Sequence, residues 1–131
     1  MSDFEKIKTP LKVIHEVTNL EQQLVVDILW SNPTDSDVET SIQSNSTRAP
    51  IGVGNIVKFG PDRVEEFLKN NNLILILRAH EYVMDGFKRF TGGKLITVLS
   101  STDYCDKHKN ASAILFLTKN FMIKPYLIYT Q

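Results

Sequence analysis

The 131-residue sequence predicts one mixed α/β (α+β) domain spanning 1–131. A helix signal opening at Gly60-Pro61 runs directly into the apolar stretch Leu73-Ile74-Leu75-Ile76-Leu77. Two hairpin patterns follow it. Hydrophobic residues make up 42% and charged residues 23%, so the chain can bury a core and is neither disordered nor membrane-spanning in composition.

Between Met1 and Gln23 the pattern is mixed, with a short helix possible around Phe4 to Lys8 and Pro10 as an interruption. Leu24-Val25-Val26-Asp27-Ile28-Leu29-Trp30 is a compact apolar run that stops at the turn signal Ser31-Asn32-Pro33, and it reads as a buried helix turn or a strand. Thr34 to Pro50 is rich in Ser, Thr, Asn and Asp and reads as a long surface loop.

Pro61 suits the first helical position, and Asp62, Glu65 and Glu66 lie near the positive end of the helix dipole. Val64, Phe67 and Leu68 share one face, and Asn70-Asn71-Asn72 ends the helix. The run Leu73 to Leu77 has the length and flanks of a central strand buried on both faces. Gly86 to Phe90 and Lys94 to Leu99 flank Thr91-Gly92-Gly93, whose glycines supply the positive φ of a tight turn. Ala113 to Thr118 and Met122 to Tyr129 form a second hairpin across Lys119-Asn120, leaving Ser100 to Asn110 as a polar loop.

Fifteen Lys and Arg balance fifteen Asp and Glu, which removes the bulk positive field that draws nucleic acid or an acidic membrane. Neither is expected as a partner. The single cysteine, Cys105, forms no internal disulfide, and no secretory segment follows Met1, so a reducing compartment, cytoplasmic or nuclear, is expected. Asn45-Ser46-Thr47 and Asn110-Ala111-Ser112 match the glycosylation pattern by chance on this reading.

His80 lies just past the end of the apolar strand, where layered α/β folds gather ligand groups. It reads either as a metal ligand or proton carrier, or as a half-buried imidazole bonded to a backbone carbonyl. Arg48, in the polar loop, could fork two hydrogen bonds to a phosphate or simply be solvated. Cys105 is either a reactive thiol beside Lys107 and His108 or an incidental one, while His15 and His108 read as surface residues.

Phe59-Gly60-Pro61-Asp62-Arg63-Val64, Leu75-Ile76-Leu77-Arg78-Ala79-His80-Glu81, Val83-Met84-Asp85-Gly86-Phe87 and Leu95-Ile96-Thr97-Val98-Leu99-Ser100 come in order before Tyr104-Cys105. With Val26 to Pro33 upstream, this series resembles the serine/threonine phosphoprotein phosphatase family, of the calcineurin-like metallophosphoesterase fold. The run Met84 to Phe90 looks most like the plant kelch-type members, although no kelch repeat is present. The resemblance implies the C-terminal half of a β-sandwich flanked by helices, incomplete on its own. It also implies hydrolysis of phosphoserine and phosphothreonine by two divalent ions, manganese, iron or zinc. By motif match His80 is a ligand of one metal, Arg48 clamps the phosphate, Tyr104 stands in the loop over the site and Cys105 neighbours it.

The family motifs Gly-Asp-x-His-Gly, Gly-Asp-x-x-Asp-Arg-Gly and Gly-Asn-His-Glu do not occur between Met1 and Gln131. One imidazole holds a hard divalent ion weakly, so no tightly bound metal pair is expected from this chain. Local departures point the same way. Asn32 replaces the aspartate of Trp-Ser-Asp-Pro, Ala49 the glycine after Arg48, and Asp103 and Asp106 the outer residues of Asn-Tyr-Cys-Gly, while Ser112 ends a usual Asn-Ala-Gly. The expectation is a truncated or degenerate phosphatase, inactive alone. The alternative is a non-catalytic module that docks a phosphatase regulatory subunit or a phosphoprotein. Loss of the first half of such a sandwich would expose apolar strand faces and favour self-association.

Overall fold

A computed structural model describes residues 20–46 and 56–130. The expected helix around Phe4 to Lys8 and the predicted role of Arg48 lie outside them. The elements are α1 (Leu20–Trp30), β1 (Asn32–Pro33), β2 (Ile42–Ser44), β3 (Val57–Phe59), α2 (Pro61–Asn70), β4 (Ile76–Arg78), β5 (Phe87–Phe90), β6 (Leu95–Val98), β7 (Ser112–Leu117) and β8 (Ile123–Ile128). They form a three-stranded sheet β1-β3-β2, a three-stranded sheet β4-β6-β5 and the two-stranded β7-β8. The fold is thus of mixed α+β type, as the sequence predicts. No helix among the described residues is long and apolar enough to cross a membrane.

The chain divides into two compact units, Met1–Asn32 with Ile42–Lys58, and Pro33–Ser41 with Phe59–Gln131. In the first, the apolar run expected to be buried is an α-helix with one covered face. Val26 packs with Ile56 and, one turn on, Trp30 joins them. Leu24, Val25, Ile28 and Leu29 are exposed, because an apolar run without helical spacing cannot put all its residues on one face. The stretch read as one long loop contains β2 and the fully buried Asn45.

In the second unit α2 starts at Gly60 with Pro61 in its first turn and sets Val64 and Leu68, four residues apart, against Phe90 and Leu95. Phe59 and Ile76 close the sides of this cluster. Phe67, assigned to the same face by sequence, is 51% exposed. Gly60 is required by close approach, since a Cβ there would lie 2.5 Å from the Glu39 carbonyl oxygen and 2.6 Å from Thr40 Cα. The Asp62 carboxylate accepts the Ser41 backbone N–H at 2.7 Å, which together with neighbouring Arg63 holds its pKa below the ordinary 3.8 against an opposing effect of desolvation.

The central strand is β6 and not the Leu73 to Leu77 run. β4 pairs with β6 in parallel and β5 pairs with it antiparallel, so β4 is an edge of three residues. Leu95 and Ile96 are 1% and 0% exposed, whereas Leu73, Ile74 and Leu77 are open to solvent. Apolar length alone does not choose the centre of a sheet; pairing on both sides does.

The hairpin β5-β6 turns at Thr91–Gly93 with φ of 53°, 60° and 92°, as the glycines predict. The second hairpin runs in register from Ser112↔Ile128 to Leu117↔Ile123. Strand alternation places Ile114, Phe116, Tyr126 and Ile128 on one of its faces, and all four are exposed. Gly86, at φ 75°, lies against the start of β7, where its Cα carries no group that would meet the Ser112 backbone.

Candidate functional site

The end of β4 is fastened to the centre of its sheet. Arg78, in register with Thr97, places its guanidinium 3.3 Å from the Thr97 hydroxyl and forms an ion pair with Glu81. Both partners of that pair are largely shielded from water, at 16% and 24% side-chain exposure. His80 rides on the turn between them. It adopts a left-handed backbone, φ 78°, and its side chain is exposed, not half-buried.

Tyr104 opens a single 3-10 turn, Tyr104–Asp106, in the loop between the hairpins. Its ring centroid lies 6.2 Å from that of Tyr82, and Tyr82 in turn lies 4.5 Å from the imidazole of His108. Tyr82, two residues beyond His80, therefore links the strand end to the loop over it. Sequence reasoning missed this residue and treated His108 as an isolated surface histidine. The regular spacing of Tyr82 after His80 is a local signal, but its contact with residues more than twenty positions on is not. Cys105 is exposed in the same turn.

The loop is held from beneath by Asn110, which is 2% exposed. The Tyr104 backbone N–H donates to its Oδ1 at 2.9 Å, and its Nδ2 donates to the carbonyl oxygens of Ser101 and Ala111 at 2.6 and 2.9 Å. Asn110 and Asn45 are thus both buried, which keeps the two glycosylation-like asparagines from the surface. The segment after Pro33 is also built. The Thr34 hydroxyl lies 3.1 Å from the carbonyl oxygens of both Ser36 and Glu39, and the Asp37 carboxylate accepts the backbone N–H groups of Thr91 and Gly92.

A cavity of about 130 Å³ opens between this segment and the strand end, with Thr34, Asp35, Glu81, Tyr82, Lys88 and Thr97 among its walls. Neither His80 nor Tyr104 lines it. Lys88 spends its ammonium on the Asp35 carbonyl oxygen at 3.2 Å.

Two divalent ions need several converging, mostly anionic donors. Among the described residues no group of three or more His, Cys, Asp or Glu side chains converges for a metal ion. Glu81 beside His80 is already paired with Arg78. The donors described here do not fit a two-metal centre.

No family model matches the chain. Serine/threonine-protein phosphatase BSL2 of Arabidopsis thaliana is 49% identical over 106 residues, which is 81% of this chain and 10% of that protein. Serine/threonine-protein phosphatase T of Trypanosoma brucei brucei is 38% identical over 112 residues, 85% of this chain and 22% of that one. The serine/threonine-protein phosphatase 4 catalytic subunit of Kluyveromyces lactis is 38% identical over 103 residues, 79% of this chain and 30% of that one. A solved serine/threonine phosphatase of Saccharomyces cerevisiae, similar to human phosphatase PP5, superposes with a TM-score of 0.60 at 25% identity over 79% of this chain and 34% of its own. The chain thus spans from a tenth to about a third of the length of the proteins it matches. An alignment at 49% identity over four-fifths of its residues, together with the shared backbone course, makes this chain a member of the serine/threonine protein phosphatase family that carries part of the family's fold.

Proposed function

We propose that the chain is the C-terminal part of a serine/threonine protein phosphatase catalytic domain and does not hydrolyse phosphate esters alone. The observation that carries this reading is the donor set: an exposed imidazole, His80, beside a carboxylate committed to Arg78. In the complete family the roles open to this chain are His80 as ligand to one of two divalent ions, Arg48 as phosphate clamp and Tyr104 over the site. Those roles need further donors from a longer chain or a second polypeptide. Residence in the cytoplasm or nucleus belongs to the same reading, since a lone cysteine suits a reducing compartment.

A manganese-dependent assay on a generic aryl phosphate tests it. No turnover by the chain alone is expected. Turnover that His80→Ala abolishes would overturn the claim of inactivity.

One observation favours a second reading, a non-catalytic docking module. Ile114, Phe116, Tyr126 and Ile128 leave an apolar face of the β7-β8 hairpin open. Such a face would serve a phosphatase regulatory subunit, a phosphoprotein or a second copy. Sedimentation of a monodisperse monomer, with no binding of phosphatase regulatory subunits in a direct titration, counts against it.

A further inference from the structure

The loop that carries Tyr104 and Cys105 is a backbone conformation that needs support. Asp103, Cys105 and Asp106 all have positive φ, at 46°, 59° and 54°. Aspartate tolerates the left-handed region, but for Cys105 it is a cost, and such residues persist where their surroundings over-determine them. Within the turn itself the Asp106 N–H reaches the Asp103 carbonyl oxygen at 2.8 Å and the Lys107 N–H that of Tyr104 at 3.4 Å. These short-range bonds shape the turn without tying it to the body of the fold.

Besides the ring contacts of Tyr82, one buried side chain hydrogen-bonds across the foot of the loop. Asn110 is buried at the foot of the loop and uses one acceptor and its donors at once, receiving Tyr104 N–H and giving to Ser101 and Ala111. It thereby joins the loop's first residues to its last, nine positions apart, in the manner of a compact Ω-loop. A carboxylate of the same shape could accept from Tyr104 but would face two carbonyl oxygens with no proton to give.

We propose that Asn110 is the positioning residue of this loop: its amide, by polarity and not by volume, sets where Tyr104 and Cys105 stand against the end of β4. That the position so held serves a phosphate site rests on the function proposed above. The geometry of the loop does not.

Amide hydrogen exchange of the full chain, followed by NMR, separates the two. In the wild-type chain the Tyr104 and Asp106 amides are protected. Asn110→Leu accelerates exchange at both by about tenfold, the worth of one lost hydrogen bond, and the isosteric Asn110→Asp accelerates Asp106 similarly. The Thr118 and Phe121 amides, bonded in the far turn of the hairpin, keep their rates. A wild-type Tyr104 amide exchanging as fast as in an unfolded peptide overturns the proposal. So does Asn110→Asp within twofold of wild type at Asp106, or equal acceleration at Thr118 and Phe121, since Asn110 would then fill space or hold the whole fold. Asn110→Asp removes no volume and decides alone if Asn110→Leu does not fold. The phosphate assay does not enter this result, so failure of the functional reading leaves it standing.

Discussion

The Asp37 carboxylate accepts the backbone N–H of Thr91 at 2.9 Å, across 54 residues of sequence. The Gly92 N–H reaches its other oxygen at 3.1 Å, so one side chain clasps the turn of the β5-β6 hairpin. The left-handed run Thr91–Gly93 points successive N–H groups the same way, and the aspartate fills that nest.

Loss of this clasp is felt in stability. Asp37→Ala costs about 1–2 kcal/mol, reduced by exposure of the carboxylate from the full value of two charge-assisted bonds. Chemical denaturation checks it, the midpoint falling with the slope unchanged. A midpoint equal to wild type would mean that the turn needs no such partner.

Gly86 supplies a second prediction. At φ 75°, with an added Cβ placed 2.6 Å from the Ser112 carbonyl carbon, alanine is disfavoured twice. Gly86 also stands where Leu99 N–H reaches its carbonyl oxygen at 2.7 Å and Ala113 N–H that of Leu99 at 2.8 Å. Gly86→Ala costs about 1–3 kcal/mol from backbone strain alone, and more if β7 must shift. Thermal unfolding measures it, and an unchanged midpoint contradicts the close approach.

Asp62 predicts a pH dependence. Its pKa in the folded chain is lowered, first by the Ser41 N–H, from an unfolded value near 3.8. The carboxylate therefore binds its proton more weakly folded than unfolded, and its stabilisation is present above pH 3.8 and lost as pH falls through the lowered value. The stability gap between wild type and Asp62→Asn, followed by denaturation from about pH 5 to about pH 2, narrows on acidification. A gap independent of pH contradicts the assignment.

Much of this molecule is legible in its sequence, for local reasons. Gly60-Pro61 with Val64 and Leu68 specifies α2, and Gly92-Gly93 specifies a hairpin turn, because caps, spacing and left-handed backbone are short-range properties. The choice of β6 over the Leu73 to Leu77 run as the central strand is not local; it depends on which strands pair with it on both sides. The clasp of Asp37 on Thr91 and the contact of Tyr82 with His108 bring together residues whose separation carries no pattern. For the candidate site, the motif series nominates His80 and Tyr104, while Asn110 shows only as a polar residue in a loop. Its burial and three bonds arise from how the loop closes.

Among the described residues no donor set for a metal pair converges, and the proposed inactivity rests on that. Isothermal titration of the chain with manganese tests it most directly. The account predicts no saturable binding at micromolar manganese, because a single imidazole holds such an ion weakly. Two ions bound per chain at micromolar affinity, both lost in His80→Ala, would contradict it.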